Sequence, residues 1–165
     1  MIIDIDKLER QGLFDSFFND LLDALDDSDK NILTDLENLI IKRFNNEVDS
    51  STGKIKWDDT LLSKKFGSKI YVETGTLISS IKVFINSNDD YEVFAEGVDP
   101  NKGRKNGTSF FSNGRELARH LNSLREFMGI PVEVEDIETK NDFIFAREVI
   151  DKYNKIMKRS RNARR

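Results

Sequence analysis

Between residues 12 and 26 the chain reads GLFDSFFNDLLDALD, with its apolar positions about one helical turn apart. Leu13, Phe14, Phe17, Phe18, Leu21, Leu22 and Leu25 make one broad stripe opposite Asp15, Asn19, Asp20 and Asp23, a pattern that predicts an amphipathic helix. The cluster Asp26-Asp27-Ser28-Asp29 then interrupts the stripe. Ser28 or Asp29 is suited to cap a second helix, because a short oxygen-bearing side chain accepts from the free N–H groups of a first turn. That second helix would carry Ile32, Leu33, Leu36, Leu39, Ile40 and Phe44 on one face and end near Asn46. The polar segment EVDSSTGKIK (47–56) reads as a loop. Trp57, the only tryptophan, follows it and is placed to anchor it.

Further along, the period changes from that of a helix to that of a strand. Lys69 to Glu73 can run extended, and Gly75 permits a tight or left-handed backbone. Thr76 to Ser80 fit a single helical turn with Leu77 and Ile81 pointing inward. Val83 to Ile85 then form a strand, turned by NSNDD (86–90) into Tyr91 to Ala95, whose Tyr91, Val93 and Ala95 share a face. The segment GVDPNKGRKNGTSFFSNG (97–114) is longer than the roughly 12–15 residues usual for an unstructured connection. Its adjacent Phe110 and Phe111 either turn back into the core or meet a partner. Residues 115–128 fit a short helix along Leu117, Leu121 and Leu124, stopped by Gly129, Ile130 and Pro131. PVEVEDIE alternates like an edge strand or an extended crossing. Thr139 opens a last helix with Ile144, Val149, Ile150, Tyr153, Ile156 and Met157 as its stripe. The pattern predicts a single α+β domain over 1–157, with N-terminal helices and a C-terminal helix packed on a small antiparallel sheet and one long projecting loop. Residues 1–28 read as an extra acidic N-terminal helix and 158–165 as a basic tail.

Composition narrows the chemistry. A chain of 165 residues can bury a core of its own without a metal or disulfide to hold it. There is no cysteine, which excludes thiolate zinc sites, thiol nucleophiles and disulfides, and suits a reducing cytoplasm. The N-terminal MIIDIDKLERQGLF lacks the pattern of a signal peptide, and no apolar run approaches the roughly 18 residues of a membrane span, so a soluble intracellular protein is expected.

The net charge of −4 conceals an asymmetry. Residues 1–50 carry thirteen acids against five bases, whereas the closing KRSRNARR carries five bases and no acid. Lys102, Arg104, Lys105, Arg115, Arg119 and Arg125 form a second basic segment. Such separation of charge points to an interaction surface.

Catalytic patterns are missing. His120 is the only histidine and follows no nucleophile-elbow motif. Gly103 to Gly107 lack the Gly-Lys-Ser/Thr ending of a phosphate loop. Glu133, Glu135, Asp136 and Glu138 could hold magnesium for nuclease work, with Glu133 and Glu135 on one face of a strand, but no supporting lysine accompanies them, and a solvated edge that deters strand pairing explains them better. No enzyme activity, cofactor or metal is expected.

In order along the chain, LIIKRFNNEVDSSTGKIKW, IYVETGTLISSIKV and REFMGI resemble elements of the virion-morphogenesis, or tail-completion, proteins of tailed bacteriophages, the group that includes the Mu-like ones. The first is similar to that family's helix end with an Arg-Phe pair, a polar loop with glycine, and a tryptophan, here Trp57. In the second, Thr74, Gly75, Leu77, Ser80 and Ile81 match an L-x-x-T-G-x-L-x-x-S-I signature in register. In the third, Arg125, Phe127 and Gly129 match R-x-F-x-G.

The resemblance spans about residues 30 to 157. It implies a structural corner at TGTLISSI and a virion protein of the neck, forming a homo-oligomeric ring around the DNA channel at the head–tail junction. It further implies assembly in the host cytoplasm and contacts with portal or adaptor proteins, or with tail-tube or terminator proteins, and transient contact with packaged DNA. On that reading Arg104, Lys105, Phe110, Phe111, Arg159, Arg161, Arg164 and Arg165 are the candidate interface residues. The alternative is a small nucleic-acid-binding protein that uses the basic loop and tail, with Phe110 and Phe111 as stacking groups. The acidic pI of about 5.2 weighs against that alternative.

Overall fold

The computed structural model of the chain describes residues 3–56, 76–95, 114–124 and 126–162, with backbone alone at 76, 77, 114, 117 and 124. Its elements are α1 (Ile5–Arg10), α2 (Phe14–Asn45), α3 (Thr76–Ser79), β1 (Ile81–Ile85), β2 (Tyr91–Ala95), α4 (Gly114–Leu124) and α5 (Val134–Asn162). The strands form a two-stranded antiparallel sheet, so the fold is α+β. The chain divides into two compact units, Met1–Ile32 with Glu135–Arg165, and Leu33–Val134.

The first unit is helical. Asp4 caps α1 by accepting from the Lys7 N–H at 3.0 Å, which satisfies one of the donors a helix start leaves free. Leu8 of α1, Phe17 and Ala24 of α2, and Val149, Tyr153 and Met157 of α5 make one buried cluster. Each large apolar side chain so enclosed contributes about 1.5–3 kcal/mol. Phe17 meets Tyr153 edge-on at 5.9 Å. The course of α5 against α2 and the α1–α2 turn is tied at two points. Lys152 Nζ donates to the Asp20 carbonyl at 2.9 Å, and Ser160 Oγ donates to Gln11 Oε1 at 2.8 Å.

Two expectations from the sequence are corrected here. The polar cluster at 26–29 does not end a helix, since α2 runs unbroken from Phe14 to Asn45. Ser28 is buried four residues after Ala24 and four before Ile32, so the inward face continues while Asp26, Asp27 and Asp29 stay exposed beside it. The last helix starts at Val134 rather than Thr139, and PVEVEDIE forms no strand. The Val134 N–H donates to the Pro131 carbonyl at 3.1 Å to close a turn. Glu135 and Asp136 then occupy the first helical turn, where the exposed N–H dipoles favour acids. This helix continues to Asn162, so Arg159 and Arg161 sit on its last turn.

In the second unit α2 ends in a left-handed cap. Val48 N–H donates to the Arg43 carbonyl and Glu47 N–H to the Phe44 carbonyl, with Glu47 at φ 56°. The hairpin pairs Ile81 with Ala95, Val83 with Val93 and Ile85 with Tyr91, and Ile81, Val83 and Ala95 are buried on one face. Its turn is closed by Asn86, whose Oδ1 accepts from Asn88 and Asp90 N–H groups while Asp89 takes φ 60°. Glu37 of α2 holds the outer edge of β1, accepting from the Val83 N–H at 3.1 Å and from Lys82 Nζ at 3.2 Å. α4 lies against β2. Leu36, Ile40, Phe44, Ala118, Phe127 and Pro131 are also buried among the described residues of this unit.

Candidate functional site

The end of α2 carries an arginine that a helix rarely buries. Arg43 is 7% exposed, and a guanidinium removed from water must find acceptors for its donors. The loop after the helix supplies them. Nη1 donates to the Ser50 carbonyl at 2.5 Å and to the Ser51 carbonyl at 2.8 Å, while Nη2 meets Glu133 Oε1 at 2.5 Å.

The loop is shaped to reach Arg43 by Asp49, which is buried. Asp49 Oδ2 accepts from the Thr52 N–H and the Thr52 hydroxyl, each at 2.7 Å, and from the Ser51 hydroxyl at 3.2 Å. Its Oδ1 accepts from the Ile55 N–H at 2.5 Å and the Lys54 N–H at 3.0 Å. Burial alone would raise the carboxyl's pKa, but the bonds from Thr52, Ile55 and Ser51 outweigh it and hold the group well below the ordinary carboxylate range.

The same loop clasps the segment after α4. The Ser50 hydroxyl donates to the Gly129 carbonyl at 2.9 Å and accepts from the Gly129 N–H. The Ser50 N–H donates to the Glu126 carbonyl, and the Val132 N–H to the Ser51 carbonyl. Phe44 and Phe127 meet edge-on at 5.6 Å beneath these bonds. Asn122 Oδ1 accepts from the Phe127 and Met128 N–H groups at 2.8 and 2.7 Å, bending the chain so that Phe127 turns inward. At Gly129 a Cβ would run into the Glu126 carboxylate and come within 3.0 Å of Ser50 Oγ. The clasp therefore favours glycine there.

A second feature opens where the hairpin meets α4. Phe84, Glu92 and Phe94 on the face away from Ile81 and Val83 line a groove of about 330 Å³ with Arg115, Arg119 and Met128. Phe84 and Phe94 contact edge-on at 5.2 Å, and the Arg115 guanidinium lies 5.7 Å from the Phe94 ring centre. Two arginines beside two aromatic rings can receive an anionic or planar group, with Glu92 setting one charged margin.

Of the residues singled out from sequence, Phe127 and Gly129 join the clasp, and Ile81 is buried at the start of β1. Leu77 lies in α3 and Ser80 just after it. Arg159 and Arg161 are exposed on α5. Trp57, Thr74, Gly75, Arg104, Lys105, Phe110, Phe111, Arg125, Arg164 and Arg165 lie outside the described residues. His120 is exposed on α4.

The strand face expected for Glu133 and Glu135 is not formed. Glu133 pairs with Arg43, and Glu135, Asp136 and Glu138 are on α5. Among the described residues no group of three His, Cys, Asp or Glu side chains could hold a metal ion, and no helix is long and apolar enough to cross a membrane.

Sequence reasoning missed Asp49, Ser50 and the buried role of Arg43. The signal was the run Asp-Ser-Ser-Thr-Gly, separated by four residues from an Arg-Phe helix end, since an Asp followed by hydroxyl residues and glycine is built to organise its own loop. No family model, no curated protein and no solved structure matches the chain.

Proposed function

We propose that the protein is a structural component of a tailed-phage virion, a tail-completion or neck protein that forms a ring around the DNA channel at the head–tail junction. What supports this reading is the convergence of two of the segments that carry the family resemblance. The Arg-Phe helix end with its polar glycine loop, and the R-x-F-x-G element, are about eighty residues apart in sequence. They interlock through Phe44, Ser50, Glu126, Phe127 and Gly129. Motifs that serve a shared scaffold should meet in this way, whereas chance matches would have no reason to. Ring partners and neighbouring virion proteins would then use the surfaces this scaffold presents. The test is electron microscopy of the purified protein at several concentrations, with class averages of the largest species. Closed rings with a central channel are expected; dimers, open filaments or a persistent monomer would count against the reading.

A second reading, nucleic-acid binding, is favoured by the groove in which Arg115 covers Phe94 beside Phe84 and Arg119. Stacked bases and phosphates suit such a lining. Its discriminator is DNA affinity against salt. A steep fall would reflect released counterions, and no measurable binding at low salt would remove this reading.

A further inference from the structure

The first unit leaves an apolar stripe uncovered. On α2, Phe14, Phe18, Leu22 and Leu25 follow one another at spacings of four, four and three residues, so they share one side of the helix. Each is 38–46% exposed, and Phe14 stacks on Phe18 at 6.0 Å. Phe17, Leu21 and Ala24 already serve the unit's own core, so α2 is apolar over a wider arc than that core uses. Contiguous exposed apolar surface of this kind marks an interaction site. The exposed acids Asp15, Asp26 and Asp29 border the stripe, and residues 14–29 contain no base.

The same unit carries a face that is basic on balance, Arg147, Lys158 and Arg161 outnumbering the exposed Asp151 beside them. On α5, Phe143 is 73% exposed. Arg147, Ile150, Asn154, Lys158 and Arg161 succeed it at helical spacing, with Ile150 half-buried and the others exposed. This face runs for roughly 27 Å at 1.5 Å per residue, longer than the roughly 17 Å of the α2 stripe.

We propose that the α2 stripe of one copy docks on the outward α5 face of a second copy of this chain. Apolar side chains would meet Phe143 and Ile150, while Asp15, Asp26 and Asp29 face Arg147, Lys158 and Arg161. Pairing stripe with stripe would instead set acids against acids, which charge complementarity disfavours. Because the two patches differ, the contact is heterologous, and each bound copy still offers a free patch for the next. This deepens the ring reading given above and rests on it only for the closure of successive contacts into a ring.

The experiment measures native mass of the full chain from about 1 μM to ~1 mM, for the wild type and two variants. The stripe variant carries Phe18→Glu and Leu22→Glu; the face variant carries Phe143→Glu and Arg147→Glu. Wild type should associate, and each variant alone should be monomeric and melt as wild type does at a dilution where it too is monomeric. An equimolar mixture of the two should give a heterodimer that grows no further, because it contains one intact stripe and one intact face.

A wild type monomeric throughout, a face variant that still pairs with itself, or assembly untouched by either variant would overturn the proposal. So would a stripe variant that melts far below dilute, monomeric wild type, since the stripe would then be covered by its own chain. Open filaments abolished by both variants would keep this contact and remove the ring. Closed rings indifferent to both would keep the ring and remove the contact.

Discussion

The Arg43 guanidinium lies directly over Gly53, close enough that a Cβ at residue 53 would sit 2.7 Å from Nε. Gly53 also takes φ +68°, a region that costs an L side chain energy whatever the space. The loop can thus deliver two carbonyls to a buried arginine only where its own backbone carries no side chain. That relationship makes the arginine and the glycine a single feature of the sequence.

Replacing Gly53 with alanine should destabilise the protein by about 2–3 kcal/mol, through backbone strain and the displacement of Arg43 together. Gly12 provides the control. It has φ +66° and open space where a Cβ would stand, with nothing within 4 Å, so Gly12→Ala should cost about 1 kcal/mol from strain alone. Chemical denaturation of both variants checks this, and equal losses would show that the contact with Arg43 is not felt.

Acid should weaken the fold in part through Asp49. Its carboxyl titrates below the ordinary value of 3.8 when folded, so the unfolded chain binds the proton more readily. Stability from this group is therefore complete above that ordinary value and is lost as pH falls below it toward the folded pKa. Asp49→Asn should lower stability at neutral pH by about 1–2 kcal/mol and flatten the acid limb of the stability profile. Denaturation midpoints at several pH values decide it: parallel acid limbs in wild type and variant would rule out the role given to Asp49.

The edge-on pair Phe44–Phe127 joins the helix end to the segment after α4. Alanine at either position should cost about 3–5 kcal/mol, because a large ring leaves a cavity in a site held by surrounding hydrogen bonds. The double variant should cost less than the sum by about 0.5–1.5 kcal/mol, the share that belongs to the ring contact itself. Strict additivity in a double-mutant cycle would mean the rings are enclosed side by side without interacting.

Much of the helix and hairpin pattern could be read from spacing alone. The hairpin was legible because Val83, Tyr91, Val93 and Ala95 alternate around a turn of Asn, Ser and Asp residues, and that local chemistry survives in the fold. The boundaries that misled were those where a local polar signal competed with a longer period. Asp26, Asp27 and Asp29 look like a helix stop, yet Ala24, Ser28 and Ile32 keep the inward face, and Ser28 is small enough to be buried there. Val132 to Glu135 alternate like a strand, but Pro131 and the acids after it suit a helix start equally well. The clasp was not legible, since Ser50 and Gly129 find each other only through the packing of the unit. Hydrogen bonds across such separations leave no periodic trace in either segment.

Glu37 offers a test of how the sheet is held to α2. Among the described residues the sheet has two strands and so two outer edges, and on β1 the Val83 N–H that points away from β2 is bonded by the Glu37 carboxylate. The partner Lys82 is more than half exposed at its side chain, so its ion pair with Glu37 contributes little in water. Glu37→Ala should therefore cost about 1–2 kcal/mol and Lys82→Ala about 0.5 kcal/mol or less. Glu37→Gln keeps an acceptor for the amide and should fall between them. The sharper reading is amide hydrogen exchange at Val83, where protection should drop in Glu37→Ala and persist in Lys82→Ala. If Lys82→Ala loses as much protection as Glu37→Ala, the carboxylate is positioned by the lysine, and the edge depends on the pair rather than on the helix alone.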